Sequence, residues 1–305
     1  MRISVVMPTY NRPRTVGNAV RSVAVQQEDG HELEIVIVDD STDDTLEVAR
    51  RALEDFPGCQ VVGHRAGNPR LRTNGARNKG IELATGELCI LLDSDDEMLP
   101  GALTYVRTFF EANAHIDVLF ASIESKSGRR PRGDRTLLDR EVSYEELASS
   151  NVGEFLPIVR RRVFVTSGIR FQPQLIGFEG FTWFSLARNG YRYYLTSKPL
   201  RLYDDEGTDR TTNARFRLER AAQFSAGHVY EIREFGADVR RRSEWAYQKR
   251  LVKAMLYNRL ATERDPSSDT FLREANRLVY ALVEWTPTAV ARRIFDLGVR
   301  LFGDT

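Results

Sequence analysis

Short apolar runs alternate with longer helical patterns along the first half of the chain. Runs rich in β-branched residues predict strands, and apolar residues at helical spacing predict the helices between them. The predicted strands are 3–7, 34–38, 60–62, 88–92 and 116–120, and the predicted helices lie near 14–26, 43–55, 73–85 and 100–113. This alternation indicates an α/β fold with buried parallel strands.

From about residue 213 the pattern changes to long helices. Apolar residues recur at helical spacing over 215–235, 243–263 and 268–285, with a break at Asp265-Pro266-Ser267-Ser268. The last segment, 288–303, combines apolar residues with arginines at 292, 293 and 300. This basic amphipathic pattern is typical of helices that lie in a membrane interface, and docking of the helix on the protein is the alternative.

Polar residues follow three of the predicted strands at the point where each strand ends. In open parallel sheets, ligands bind outside the carboxyl ends of the strands. Each cluster taken singly also fits a loop or a helix N-cap, but three clusters at matching strand ends predict a ligand site. The clusters are Pro8-Thr9-Tyr10-Asn11-Arg12, Asp39-Asp40-Ser41 and Asp93-Ser94-Asp95-Asp96.

The third cluster is unusually acidic. Four carboxylates stand in five residues: Asp93, Asp95, Asp96 and Glu97. Like charges at this spacing raise one another's pKa values unless a cation or a set of hydrogen-bond donors lies among them. The stretch therefore predicts a counter-ion beside it.

Composition narrows the function classes. Lysine plus arginine number 44 and aspartate plus glutamate 43, so net charge gives no argument for nucleic acid as a partner. Cys59 and Cys89 form no CxxC motif, which suits a reducing compartment and argues against a zinc site. We expect both cysteines to be small residues of the core. The chain has no GxGxxG, and 75–80 lacks the Lys-Ser/Thr pair of a P-loop, so NAD and ATP sites are not expected.

Four stretches resemble successive motifs of the inverting family 2 glycosyltransferases. They occur in the family's order over roughly residues 1–205 and read "VVMPTYNRPRTVGNAVRSV", "EIVIVDDSTDDT", "NGARNKGIELATGELCILLDSDDEMLPGAL" and "GFEGFTWFSLARNGYR". The resemblance implies the GT-A fold, a Rossmann-like α/β domain with a mostly parallel central sheet flanked by helices, here with a helical C-terminal extension. We expect a glycosyltransferase domain at 1–212, with a nucleotide-sugar half at 1–122 and an acceptor half at 123–212. A helical region at 213–305 would follow.

The resemblance also assigns the acidic cluster a role. Asp93-Ser94-Asp95 matches the family's DxD triplet, which holds Mn²⁺ or Mg²⁺ against the pyrophosphate of the donor. Asp95 should bind the metal directly, and Asp93 should contact the ribose or the water shell of the metal. We expect Asp96 to cap the following turn and Glu97 to be solvated.

Other donor contacts follow from the same motifs. Asp39 or Asp40 should accept hydrogen bonds from the base or ribose, and Arg77 should pair either with the pyrophosphate or with an aspartate of the site. The segment expected to frame the base comprises Pro8, Thr9, Tyr10 and Asn11. For Tyr10, packing against the sheet edge is the alternative.

The fourth motif carries the expected general base. In the register without gaps, Phe178 stands at the family's glutamate and Glu179 at its catalytic aspartate. The alternative register would put Gly180 at the base and leave an inactive site. Many relatives have a histidine metal ligand where this chain has Asp204, Asp205 and Glu206, so the third ligand stays unassigned.

These observations predict a metal-dependent inverting glycosyltransferase. It would move a sugar from a nucleotide-diphosphate sugar to a hydroxyl of a glycan or lipid-linked acceptor, in cell-surface polysaccharide or glycoconjugate synthesis. The alternatives are an inactive glycan- or nucleotide-sugar-binding module and a sugar nucleotidyltransferase, although 8–14 lacks the glycine-rich loop of the latter. No apolar run reaches the roughly 18 residues of a membrane span. We expect a cytoplasmic protein, peripheral on the inner face of the membrane if 288–303 contacts lipid, with a homo-oligomer left open.

Overall fold

The computed structural model of the chain divides into two compact units. The first unit contains 1–144, 152–173 and 182–206, and the second contains 145–151, 174–181 and 207–305. The residues that the structure describes are 1–27, 32–56, 59–65, 71–130, 133–150, 152–175, 177–206 and 214–302. The expected domain boundary at 212 and residue 303 of the predicted terminal helix lie outside these ranges.

One mixed sheet runs through the first unit. Its strands, over the described residues, are β1 (Ile3–Thr9), β2 (Leu33–Asp39), β3 (Gln60–Arg65), β4 (Leu88–Leu91), β5 (Glu97–Met98), β6 (Val118–Ser125), β7 (Arg140–Val142), β8 (Leu156–Arg160) and β9 (Tyr193–Tyr203). The strand order is β3-β2-β1-β4-β8-β6-β9-β5, and β7 also pairs with β9.

Strand directions in this sheet agree with the predicted fold class. β1 to β4 pair in parallel, as do β6 and β9. β8 lies antiparallel between β4 and β6, and β5 and β7 are antiparallel to β9. Only β5, β7 and β8 therefore run against the common direction among the described strands, which confirms a mostly parallel sheet.

Helices cover the sheet in the first unit and build the second. In chain order they are α1 (Val16–Ala24), α2 (Thr45–Arg51), α3 (Arg72–Leu83), α4 (Ala102–Ala112), α5 (Tyr144–Ser149), α6 (Arg162–Ser167), α7 (Gly180–Arg188), α8 (Ala214–Glu219), α9 (Ala221–Arg242), α10 (Glu244–Leu260), α11 (Pro266–Ala275), α12 (Arg277–Trp285) and α13 (Thr288–Phe302). A 3-10 turn spans Arg135–Leu137. No helix in the described ranges is long and apolar enough to span a bilayer.

The core of the first unit explains why its strands could be found in the sequence. β1, β2 and β4 are buried at every position because helices cover both faces of the sheet. Cys59 and Cys89 are free and buried, as predicted, and burial raises the pKa of the Cys89 thiol to about 12. β5 and β7, with two and three residues, are too short for their periodicity to be read.

Capping residues divide the helices of the second unit. Ser243 separates α9 from α10 and accepts the N–H of Ala246, and Asp265 accepts the N–H of Ser268 at the start of α11. The predicted helix 268–285 is divided at Asn276, whose side chain accepts the N–H of Val279 and caps α12. The core of these helices contains Val229, Ile232, Leu251, Met255, Leu272, Tyr280 and Val283.

Candidate active site

The loops that follow β1 and β2 are joined by hydrogen bonds. Asn11, in the left-handed conformation with φ of 51°, donates its N–H to the hydroxyl of Ser41 at 2.7 Å. The side-chain oxygen of Asn11 accepts the N–H of Thr42 at 3.4 Å, and the N–H of Arg12 donates to Thr45 at 3.0 Å. The structure therefore brings the first two predicted clusters together at one end of the sheet.

The two aspartates at the end of β2 differ in exposure. Asp39 is completely buried, and one of its oxygens accepts the N–H of Ser41 at 3.0 Å. Asp40 keeps a small exposed area, and its N–H donates to the carbonyl of Thr9 at 3.1 Å. Asp40 is therefore the more accessible of the two aspartates, and Asp39 orders the loop.

Arg77 on α3 pairs with the first aspartate of the acidic cluster. Its Nη2 lies 2.8 Å from Oδ1 of Asp93. Burial acts to raise the pKa of Asp93, but Arg77, with Arg201 and Arg12, outweighs it and holds the pKa below its usual value. Of the two partners predicted for Arg77, the structure shows the aspartate.

Asp95 is less well neutralised than Asp93. Burial and the negative charge of Asp93 raise its pKa, while Arg12, with Nη2 3.6 Å from Oδ2 of Asp95, opposes them. The side chains of Asp93 and Asp95 are 36% and 34% exposed, whereas Ser94 between them is buried. Both carboxylates can therefore be reached from solvent.

Asp96 does not cap the following turn, and that prediction was wrong. Its side chain is 1% exposed, with Oδ1 accepting the N–H of Asp204 at 2.8 Å and Oδ2 3.2 Å from Nη1 of Arg201. Burial raises the pKa of Asp96 to about 8 against the opposing charge of Arg201. Because Arg201 lies in β9 and Asp204 directly follows that strand, Asp96 fixes the acidic turn to the end of β9.

Glu97 was expected to be solvated, and its side chain is 31% exposed. Its carboxylate lies 3.2 Å from Nζ of Lys126, which also lies 3.4 Å from Asp204. Asp205 accepts the N–H of Ser127 at 3.0 Å, and despite partial burial its hydrogen bonds to Ser125 and Ser127 lower its pKa to about 2. The acidic stretch 204–206 is thus held partly by the end of β6, and the third metal ligand stays unassigned.

The predicted counter-ion is supplied in part by Arg201, an arginine that the sequence did not point to. Arg201 on β9 is almost completely buried, and its Nη2 lies 3.5 Å from Glu154 as well as contacting Asp96 through Nη1. The position of Arg201 between Leu200 and Leu202, in the apolar end of 193–203, was the available signal. Arg12, Arg77 and Arg201 together offset the cluster, and the 3.6 Å ion pair of Asp95 with Arg12 is longer than those of Asp93 with Arg77 and Asp96 with Arg201.

The residues fit a divalent cation. Asp93 and Asp95 offer accessible carboxylate oxygens, the ligands that Mg²⁺ and Mn²⁺ prefer. Mg²⁺ sites take one or two carboxylates from the protein and further ligands from phosphate and water, so this pair is a sufficient protein contribution.

Glu179 lies directly before α7, in the second unit, and is partly exposed. The residue before it, Phe178, packs inside the second unit, with ring centroids 5.1 Å from Phe181 and 4.9 Å from His228. A Cβ at Gly227 on α9 would overlap the Phe178 ring, so the ring rests against the helix backbone. Phe178 therefore anchors the segment that carries Glu179, and the role of Glu179 as base stays a prediction.

Comparison with known sequences identifies the family. A family model described as glycosyl transferase family 2 matches residues 4–190, which is more than half of the chain. The chain belongs to this family. The resemblance read from the four motifs is thereby confirmed.

Named relatives act on polymer or lipid-linked acceptors. A β-1,3-glucosyltransferase of Campylobacter jejuni, named for GalNAc(5)-diNAcBac-PP-undecaprenol, is 29% identical over 206 residues, or 66% of this chain and 64% of the relative. The poly(ribitol-phosphate) β-N-acetylglucosaminyltransferase TarS of Staphylococcus aureus is 31% identical over 135 residues, or 42% of this chain and 22% of TarS. The chain thus covers less than two thirds of the length of either relative.

Solved structures share the fold. TarS 1–349 in complex with UDP-GlcNAc superposes with a TM-score of 0.60 at 18% identity, covering 98% of this chain and 92% of that one. The mannosyltransferase PcManGT of Pyrobaculum calidifontis, in complex with GDP-Man and Mn²⁺, gives 0.57 at 19% identity, covering 99% and 88%. The chain has the GT-A fold with a helical C-terminal region.

Proposed function

We propose that the protein is a metal-dependent, inverting glycosyltransferase with a nucleotide-diphosphate sugar as donor. The observation that carries the proposal is the pair Asp93 and Asp95 at the end of β4, accessible to solvent and flanked by Arg77 and Arg12. The pair offers hard oxygen ligands, which Mg²⁺ and Mn²⁺ prefer. Structural neighbours crystallised with UDP-GlcNAc and with GDP-Man and Mn²⁺ support this proposal.

Asp95 and Asp93 would hold Mn²⁺ or Mg²⁺ in this proposal. When bound, the metal would neutralise the negative charge that develops on the leaving nucleoside diphosphate. Arg77 keeps Asp93 ionised and in place through its 2.8 Å ion pair. Arg12, 3.6 Å from Asp95, is near enough to this carboxylate for its guanidinium to turn to a bound phosphate.

The nucleoside would lie against the loops after β1 and β2. Tyr10 is largely exposed, so its ring face is available for stacking on a base. Asp40, the more accessible of the two β2 aspartates, would accept hydrogen bonds from the base or ribose. Asn11 and Ser41 hold these two loops together through their 2.7 Å hydrogen bond, which sets the width of the nucleoside site.

Glu179 would act as the general base. A carboxylate that removes the proton from the acceptor hydroxyl allows that oxygen to attack the anomeric carbon opposite the leaving group, which inverts the configuration. Glutamate keeps the chemistry of the family's aspartate and lengthens the side chain by one methylene. Support comes from the gap-free motif register, in which Phe178 takes the preceding position and packs into the second unit.

The acceptor would be a hydroxyl of a glycan or lipid-linked saccharide in the synthesis of a cell-surface polymer or glycoconjugate. The Campylobacter relative named for a polyprenol diphosphate substrate and the poly(ribitol-phosphate) enzyme support this class. A lipid-linked acceptor would place the enzyme at the inner face of the membrane, with 288–303 in contact with lipid.

Calorimetric titration of UDP, GDP and dTDP with and without MnCl₂ tests the donor site. We expect one nucleotide to bind in a manganese-dependent manner, and this binding to disappear in Asp95→Ala. Asp55→Ala, which removes an exposed carboxylate after α2, serves as the matched control and should bind like the parent. If no nucleotide binds the parent protein under any condition, the proposal is wrong.

A further inference from the structure

One face of α12 exposes large apolar side chains. Leu278, Leu282 and Trp285 are 73%, 58% and 84% exposed, and their spacing of four and three residues places them on a single side of the helix. Tyr280 and Val283 of the same helix are buried in the core of the second unit. α12 is therefore packed through one side and leaves an apolar ridge on the other.

The next helix continues this arrangement. Ala291 and Phe295 of α13 are buried, and the Phe295 ring lies 5.2 Å from Tyr257 on α10. Val290 and Ile294, four residues apart, are 45% and 47% exposed. The apolar side predicted for 288–303 is thus divided, because one part docks on α10 and another part remains exposed to solvent.

The charged residues around these apolar side chains are mainly basic. Between 277 and 295 the chain has three arginines, Arg277, Arg292 and Arg293, and one acidic residue, Glu284. All three arginines are exposed, whereas Glu284 is partly buried and lies 3.0 Å from Arg264. Glu274, four residues before Leu278, is also exposed, so the exposed charge beside the apolar side chains is positive in balance, with three arginines against one carboxylate.

We infer that α12 and the first turns of α13 dock on a bilayer that contains anionic lipids. The membrane face comprises the apolar residues Leu278, Leu282, Trp285, Val290 and Ile294 and the basic residues Arg277, Arg292 and Arg293. Its apolar side chains enter the interface, where tryptophan is favoured, and its arginines meet the headgroups.

Charge favours lipid over a second copy of the chain as the occupant of this face. In a two-fold dimer the same patch would face itself and bring the like-charged arginines together. An anionic bilayer pairs with the same arginines. The inference rests on the proposed function in that a membrane-bound acceptor requires the enzyme at the bilayer surface.

Vesicle flotation tests the membrane face without sugar transfer. The full chain is mixed either with vesicles of phosphatidylcholine alone or with phosphatidylcholine vesicles that contain roughly one third of the anionic lipid phosphatidylglycerol. We expect flotation with the anionic vesicles, and Leu278→Gln/Leu282→Gln/Trp285→Gln should lower the partition coefficient by at least about 10-fold. Arg277→Gln/Arg292→Gln/Arg293→Gln should lower it by about 100-fold at low salt.

Trp245→Gln is the matched control, since Trp245 is an exposed tryptophan on α10. It should float like the parent, and circular dichroism should show the parental helix content in every variant. No flotation with anionic vesicles, or undiminished flotation of the triple apolar variant, would overturn the inference. The inference would also be overturned if the parent protein formed a dimer, did not float, and became a monomer in the triple apolar variant. In that case the membrane face would be the contact with a second copy of the chain. Flotation without nucleotide binding would retain the membrane face and reject the donor site.

Discussion

Asp95 in the first unit and Glu231 in the second are both carboxylates beside an arginine, but their surroundings differ. Asp95 is 34% exposed and lies 3.6 Å from Nη2 of Arg12, next to the negative charge of Asp93. Glu231 is buried, with one oxygen 2.7 Å from Nε of Arg250 and the other 3.2 Å from Nδ1 of His228. One carboxylate is incompletely neutralised, whereas the other has a partner on each oxygen.

The pKa shifts follow from this difference. Burial and Asp93 raise the pKa of Asp95. Burial also acts to raise the pKa of Glu231, but its hydrogen bond to His228 and the charge of Arg250 lower it to about 2. A group with two protein partners stabilises the fold, whereas an accessible, under-neutralised group can bind a cation. The number of charged residues in a stretch of sequence does not by itself distinguish these two kinds of carboxylate.

The largest expected effect is on catalysis in Asp95→Asn. Loss of a metal-binding carboxylate should lower the transfer rate by about 1,000-fold, because several kcal/mol of charge stabilisation are lost. The unfolding free energy should stay at or above the parental value, since repulsion from Asp93 is removed. Nucleoside diphosphate release at saturating manganese measures the rate. A variant that transfers sugar as fast as the parent would remove Asp95 from the site.

Glu179→Gln should separate catalysis from donor binding. Without a base the transfer rate should fall by about 100-fold to 10,000-fold, with unchanged affinity for the nucleotide. Single-turnover transfer and calorimetry on the same preparation provide both values. Equal turnover of variant and parent would rule out Glu179 as the base. A parent that binds donor but never transfers sugar would instead favour the inactive binding module.

Glu231→Gln should act on stability and not on the donor site. Breaking a buried ion pair leaves Arg250 without its carboxylate, so we expect the unfolding free energy to fall by about 3 kcal/mol. The exposed pair Arg240–Glu244 has the same Nε–Oε distance of 2.7 Å. Glu244→Gln is therefore the matched control and should leave the urea midpoint close to the parental value. Equal losses in both variants would contradict the comparison.

Acid should destabilise the second unit through His228. Burial and the charge of Lys253 lower the pKa of His228 from 6.5 to about 4, although its hydrogen bond to Glu231 opposes the shift. Between these values the unfolded chain binds more protons than the folded chain, so stability is present above pH 6.5 and falls as the pH drops toward 4. The loss is at most about 3 kcal/mol.

Urea unfolding at several pH values measures this effect. His228→Gln removes the titrating group, so its unfolding free energy should fall less steeply than that of the parent between pH 6.5 and 4. Identical slopes for the two proteins would show that His228 does not carry the pH dependence. Acidic groups that do not contact His228 contribute equally to both proteins and cancel in the difference, whereas Glu231 does not, because its hydrogen bond to His228 lowers its pKa.

Gly227→Ala has the smallest expected effect, about 1–3 kcal/mol of lost stability, because the new Cβ overlaps the Phe178 ring. Gly236→Ala on the same helix is the control, since its Cβ would lie 3.2 Å from Ile232 and Tyr247, whereas a Cβ at Gly227 would lie less than 3.0 Å from the Phe178 ring. In a protein that already carries Phe178→Ala, Gly227→Ala should lower the unfolding free energy by less than it does in the parent. Equal stability of the two alanine variants in urea would contradict the close packing of Phe178 on α9.

Prediction from sequence succeeded where burial is continuous or chemistry is local. β1, β2 and β4 were found because strands covered on both faces are apolar at every position. The division between α11 and α12 was missed, since Asn276 is an ordinary polar residue until its side chain caps a helix. Asp96 was misassigned because its partners, Arg201 and the N–H of Asp204, are more than 100 residues away in the chain.

The sequence by itself determined the α/β order of the first half, the helical second half, the family motifs and the crowding of carboxylates at 93–97. These properties depend on neighbours within a few residues or on a periodic pattern. Only the tertiary structure decided which carboxylates are neutralised, which side of α12 is exposed and where Phe178 packs. Each of these depends on distances between residues far apart in the chain, and folding sets those distances.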